Sequence, residues 1–359
     1  MMKTMRFPIL ALASTVMFLA NFASAVQAQF YEGKQITVLV NYGAGGSTDV
    51  LARLVTKHLE KHIPGSPEVV VTNMAGAGGI VATNHMGEVA KADGLTLAFF
   101  ATPFMQYALQ DPALTVDISK FVWVGGFGQP TLCFIRKDAG TGVESVDDLL
   151  EIGEFKLGGY RATSSTDIRM RLGLDLLGAN YKHVTGYRSS AKVLAALLQN
   201  EVSYSCGSVT LYRKSFEPNL IEPGLATPLW YYSLVDAEGN PVRDPRLEGI
   251  PTFIDVHERL KGERPSGMLF DSLTAVNNIA VTMLRGVFLP EGTPDAAAEA
   301  LRTAWSALSE DEEFISDYMS LADEPPSLLS GAEARERLDS LGSLDPEIVA
   351  FIKEYAVQE

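Results

Sequence analysis

Residues 36–55 read ITVLVNYGAGGSTDVLARLV, and the change of rhythm inside this stretch decides the fold class. Ile36, Val38, Leu39 and Val40 make an apolar, β-branched run of strand length. Beyond the glycines, Leu51, Leu54 and Val55 recur at helical spacing, a pattern that Leu59 and Ile63 continue. Ser47, Thr48 and Asp49 fill the cap and first helical turn, and Pro64-Gly65 ends the helix. A strand-to-helix turn of this kind gathers backbone N–H groups and the positive end of a helix dipole at one spot, and glycine lets a ligand approach the main chain.

The same unit follows directly. Residues 69–72 form a second strand and residues 73–79, NMAGAGG, a second glycine turn. A helix over 80–92 carries Ala82, Met86, Val89 and Ala90 on one side, and a third strand at 95–100 runs into Ala101-Thr102-Pro103. Strands are again expected at 131–136, 156–159 and 202–206, with helices at 145–152, 166–177 and 191–199. The alternation implies mostly parallel sheets flanked by helices, in which ligands bind beyond the carboxyl ends of the strands. Both glycine turns fall at such ends and are expected to cradle one small acid.

Further on, residues 236–251 are rich in glycine, proline and charge and read as a surface loop. Thr293-Pro294-Asp295 and Asp345-Pro346-Glu347 are helix starts, the first with Thr293 as its capping hydroxyl.

At the N-terminus, Lys3 and Arg6 precede an apolar stretch at 8–20 and small residues ending Val26-Gln27-Ala28. An apolar core of about 13 residues suits a secretory signal and falls short of the roughly 20 needed to span a bilayer. Cleavage is expected after Ala28, with Ala25 the other position. The remaining chain suits two lobes, and a crevice between lobes is a common ligand site. Net charge is −15 and becomes about −17 once the two basic residues of the leader are gone. That balance argues against nucleic acid but not against an anionic ligand held by local dipoles. Export allows Cys133 and Cys206 to pair, yet two small buried apolar side chains is the plainer reading.

Several chemistries fail on spacing. A P-loop needs a lysine near the hydroxyl residue, and none follows Gly46-Ser47; a dinucleotide fingerprint needs a third glycine where Thr48 and Val81 stand. His58, Glu60 and His62 lack the zinc-protease order and lie among lysines, so a solvated helix face is expected and no metal. There is no Gly-x-Ser-x-Gly elbow, and His85, His183 and His257 have no evident partner. A dispersed triad would show in geometry rather than in sequence order. In the second half, Arg161-Ala162-Thr163-Ser164-Ser165-Thr166-Asp167 and Gly186-Tyr187-Arg188-Ser189-Ser190 place hydroxyls at helix starts, which ordinary capping also explains. Arg161 and Arg188 would either face a carboxylate or lie in solvent.

Taken together, these segments resemble the Bug-type receptors, the exported solute-binding proteins of tripartite tricarboxylate transporters. Residues 36–55 are similar to the family's opening strand, turn and first helix, and residues 69–100 to its second turn and third strand. Weaker likeness continues at 181–208, 249–255 and 286–301. The resemblance implies a two-lobe periplasmic binding protein fold of type II-like α/β architecture. Residues 1–28 would be the leader, 29–128 with 232–359 the first lobe, and 129–231 the second.

It also implies a monomeric periplasmic receptor, not an enzyme and without a cofactor. Such a receptor would close on a small organic carboxylate and deliver it to membrane transporter subunits. Tyr42, Gly45, Ser47, Asp49, Ala77 and Gly78 would hold one carboxylate, and Thr102, Thr163, Ser164, Ser165, Tyr187 and Ser208 would line the other side. The chain departs from the family pattern at Gly186 and over 161–164, and it is longer over 236–283, with an added helix at 269–283. Two other readings stay open: a receptor that presents its ligand to a membrane signalling protein, and an exported two-lobe hydrolase.

Overall fold

The structure, a computed structural model, describes residues 30–357 except 235, 237–239 and 324. The signal segment, its cleavage site and part of the 236–251 loop lie outside the described residues. Eleven strands are found among them: β1 (Gln35–Val40), β2 (Glu68–Asn73), β3 (Thr96–Ala101), β4 (Val122–Phe127), β5 (Thr131–Arg136), β6 (Phe155–Gly158), β7 (Tyr181–Val184), β8 (Tyr204–Ser208), β9 (Ala226–Tyr232), β10 (Arg285–Leu289) and β11 (Leu328–Ser330). They form two sheets, in the order β11-β4-β10-β3-β1-β2 and β7-β6-β8-β5-β9.

The parallel strands expected from strand–helix alternation are there: β1 pairs in parallel with β2 and β3, and β6 with β7 and β8. Each sheet also takes in strands that run against their neighbours, β10 between β3 and β4 and β5 between β8 and β9, so both are mixed. The reversal follows from connectivity. The chain passes from β4 to β5 within four residues, from one sheet to the other, and returns after β9 to insert β10.

Strand periodicity explains the layers. Ile36, Val38 and Val40 enter one core of the first sheet while Leu39 enters the core on its other face. In β5, Leu132 and Phe134 point to one side of the second sheet and Cys133 and Ile135 to the other. Three helices, Phe253–Lys261, Met268–Thr282 and Pro346–Val357, bury Phe253, Val256, Leu273, Val276, Ile352 and Tyr355 in the second sheet's core. They lie within 232–359, which was expected with the first lobe; an amphipathic stripe does not say which sheet it will cover.

Three local expectations are corrected. Cys133 and Cys206 face each other directly across β5 and β8 and form a disulfide closing a separation of 73 residues. Strand register, invisible in the sequence, brings them together. His58 is buried rather than solvated: its Nε2 lies 2.9 Å from Asp317, and His62 Nε2 lies 2.8 Å from Asp311. Helix Ser47–Leu59 packs against helix Glu312–Ala322, so the histidine face meets an acidic one. His58, Asp311 and Glu313 are close enough to suit a metal, but Lys61 Nζ already binds both acids, at 3.0 and 2.8 Å. Lastly, the Thr293 hydroxyl donates to Pro290 O and does not cap the helix that starts at Asp295.

Candidate functional site

The two sheets meet where the turn after β1 touches the loop before helix Ser190–Leu198. Here four amides of the first glycine turn already have partners. Gly43 N donates to Arg188 O at 2.9 Å, Ser47 N to Ser190 Oγ at 2.9 Å, Gly45 N to Asp49 Oδ2 at 2.8 Å and Gly46 N to Gly43 O at 3.3 Å. The protein's own acceptors occupy these donors. Asp49 accounts for one: buried at the start of its helix, it reaches back to the turn and also accepts from Arg53 and Asn73. Burial would raise its carboxyl, but Arg53, the Gly45 amide and Asn73 outweigh that and hold it below the usual carboxylate range. Gly43 O lies within the turn itself, while Arg188 O and Ser190 Oγ come from the second sheet's side, so this turn is an interlobe contact.

The second turn behaves differently. Gly79 has φ +96°, and a Cβ there would lie 2.4 Å from Asn41 Nδ2, whose side chain bridges to β3 through both Ala101 O and Ala101 N. Glycine is therefore required at that position. The amides of Ala77 and Gly78 meet no partner among the described residues. Both residues line an open cleft of 1240 Å³, together with Tyr42, Tyr160, Thr163 and Tyr187.

Behind Tyr42 and Tyr160 lies a small chamber of 60 Å³. The two rings meet edge to face at 5.4 Å, the Tyr42 hydroxyl donates to Gly78 O, and both residues also line the open cleft. They form the wall between the two spaces. The chamber is lined from both sheets, by Ser47, Thr48, Thr131, Thr166, Ser190 and Ser208 with Gly46, Gly207 and Leu211 among others. Of the expected ligand residues, Tyr42, Ser47 and Ser208 reach the chamber. Ala77, Gly78 and Thr163 line only the open cleft, as does Tyr187, whose hydroxyl donates to Glu201. Gly45, Asp49, Thr102, Ser164 and Ser165 line neither space.

Among the chamber residues that were not expected, such as Thr131, Thr166 and Ser190, one carries a charge. Arg285, first residue of β10, is 2% exposed; its Nη2 donates to Ser47 Oγ at 3.0 Å and its Nη1 to Gln129 Oε1 at 3.4 Å, while Nε has no partner. No carboxylate pairs with it among the described residues, and desolvation pulls its pKa down to about 10. The available signal was a lone cation opening an otherwise apolar strand, RGVFL.

Across the cleft, Arg161 does not face an empty site. It makes a bidentate pair with Asp111, Nη2 to Oδ2 at 2.9 Å, and Thr163 Oγ1 donates to the same carboxylate at 2.7 Å. Asp111 follows β3 in the first sheet's half of the chain, so this pair ties the halves together. Arg188 is exposed in the cleft wall. Ser164, Asp167 and His183 are brought together, with Ser164 Oγ 2.5 Å and His183 Nε2 2.9 Å from Asp167. The acid stands between the other two, whereas a triad requires histidine beside the hydroxyl. Ser164 also caps helix Ser165–Leu177.

No family model matches the chain. Protein BugT of Bordetella pertussis is 40% identical over 89 residues, covering 25% of this chain and 26% of that protein. A UPF0065 protein of Pseudomonas sp. strain P51 is 26% identical over 293 residues, covering 79% and 77%. The chain spans only about a quarter of the length of the first curated relatives it matches, 26% in BugT and 28% in two UPF0065 proteins. Among solved structures, the periplasmic binding protein BugD superposes with a TM-score of 0.69 at 18% identity, over 91% of this chain and 99% of its own. A Rhodopseudomonas palustris protein with adipate gives 0.68 at 21% identity, over 90% and 98%. MatC from Rhodopseudomonas palustris with bound malate gives 0.64 at 21% identity, over 90% and 99%. The two-lobe periplasmic-binding-protein fold is thereby shown, and the sequence likeness to Protein BugT extends over a quarter of the chain.

Proposed function

We propose that this relative of the Bug-type receptors is a periplasmic solute receptor that closes two lobes on a small organic carboxylate. It would then present the loaded form to membrane subunits of a tripartite tricarboxylate-type transporter. The observation that carries the reading is the 60 Å³ chamber at the meeting of the two sheets, lined by hydroxyls from both and sharing Tyr42 and Tyr160 with the larger cleft. A site built from two lobes couples ligand contacts to lobe closure, because neither half makes them alone. Malate in MatC and adipate in the second neighbour support a carboxylate as the ligand class.

The receptor acts as a monomer, binds its ligand without turning it over and needs no cofactor. Its first lobe comprises residues 29–128 with 232–359 and its second 129–231, the three helices packed on the second core being contributed across the boundary. Tyr42, Ser47 and Ser208 contact the solute. Ala77, Gly78, Thr163 and Tyr187 act at the cleft, and Gly45, Asp49, Thr102, Ser164 and Ser165 support the walls from behind. Isothermal titration of residues 29–359 against mono-, di- and tricarboxylates tests the reading. Saturable one-to-one heats with at least one small acid are expected, and silence across the whole panel would contradict it.

A further inference from the structure

We infer that Arg285 is the specificity-determining residue of the chamber and that it selects a short monocarboxylate bearing a hydroxyl or keto group; the inference rests on the receptor reading above. A guanidinium is planar, always charged and shaped to take both oxygens of a carboxylate. Burying one without a counter-ion is strongly unfavourable, so an orphaned buried cation calls for an anion that arrives from outside. Arg285 meets both conditions. It is 2% exposed, its neighbours Ser47 and Gln129 are neutral, and its Nε has no acceptor.

Other buried arginines serve as contrast. Arg136 is satisfied by Asp138 at 2.6 Å and by Leu197 O. Arg169 also leaves one nitrogen without a partner, but it lies over the Tyr232 ring, bonds Asn277 and lines neither the chamber nor the open cleft. Arg285 alone of the three lines the chamber.

The rest of the lining sets the remainder of the ligand. No Asp, Glu, Lys or second Arg lines the chamber, so one negative charge is matched there and a second would be left without a partner. Ser47, Thr48, Thr131, Thr166, Ser190 and Ser208 offer hydroxyl donors and acceptors that a hydroxyl or keto oxygen can use. At 60 Å³ the space suits a few heavy atoms.

Titration of the wild-type chain and of Arg285→Gln with lactate, pyruvate, lactamide, malate and adipate decides the matter. Lactate or pyruvate should bind the wild type at least ten-fold more tightly than malate or adipate, and lactate at least a hundred-fold more tightly than lactamide. Arg285→Gln should lose a hundred-fold or more toward the monocarboxylate, while its ligand-free form melts no lower than the wild type, since an unpaired buried charge has been removed. Tighter binding of malate or adipate, equal binding of lactate and lactamide, or unchanged affinity in Arg285→Gln would overturn the assignment and leave the receptor reading standing. Silence from all of the acids would sink both. Should the variant fail to fold, the wild-type comparison of lactate with lactamide carries the decision.

Discussion

Asp49 illustrates how a carboxylate at a helix start can turn back on its own loop. Its position in the first helical turn was legible, because Gly-Gly-Ser-Thr-Asp ahead of an apolar stripe is a helix start. Its use of the Gly45 amide was not legible, since a carboxylate that returns to its own turn and one that waits beside a ligand leave the same sequence mark. Tyr42, Ser47 and Ser208 were legible by position and do reach the chamber. Arg285 was not, because nothing local distinguishes a strand-end arginine aimed at solvent from one aimed inward.

The carboxyls of Asp49 and Asp111 are both held low, against the raising effect of burial, by their hydrogen-bonded partners. A depressed folded-state pKa contributes stability that is complete above the unfolded value of about 3.9 and is lost as pH falls through the folded value. Thermal melts should therefore change little from these groups between pH 5 and 7 and decline below about pH 4. Asp49→Asn should flatten part of that acid limb and lower the neutral-pH stability by about 1–3 kcal/mol, because a buried charged hydrogen-bond network loses a partner. An unchanged acid limb in the variant would show that Asp49 carries none of it.

At the level of elements, the strand–helix alternation of the first hundred residues was readable because period 2 and period 3.6 patterns alternate cleanly and glycine or proline marks each change. What could not be read was which strands become neighbours. The insertion of β10 between β3 and β4, the seating of β5 between β8 and β9, and the docking of helices 253–261 and 268–282 on the second core are long-range choices. They are decided by packing rather than by local pattern. The disulfide belongs to the same class, since only the β5–β8 register sets Cys133 opposite Cys206. A cross-link closing so long a loop restricts the unfolded chain, and its removal typically costs about 2–4 kcal/mol. Urea unfolding of the Cys133→Ser/Cys206→Ser double variant should show that loss, with retained ligand binding under native conditions; identical midpoints would mean that the bond contributes nothing.

Over the whole molecule, the proposed anion site of an acidic chain lies in the interior, where the distant surface charge is screened and one buried cation dominates. The halves are tied at Gly43–Arg188, Ser47–Ser190 and Asp111–Arg161, and these contacts flank the cleft and chamber rather than fill them. The two-lobe plan was legible from length and alternation, whereas the closing contacts depend on groups 50 or more residues apart meeting across a crevice. Those contacts engage the Gly43 and Ser47 amides, and Asp49 and Gly43 O engage those of Gly45 and Gly46, so in the proposed reading capture falls mainly to side chains inside the chamber. The most direct measurement is a crystal structure of the chain grown with the tightest-binding short acid. The account predicts the carboxylate in the chamber behind Tyr42 and Tyr160, within hydrogen-bond distance of Arg285 and a serine from each lobe. An acid seated only in the open cleft, or on the amides of the glycine turns with Arg285 untouched, would contradict it.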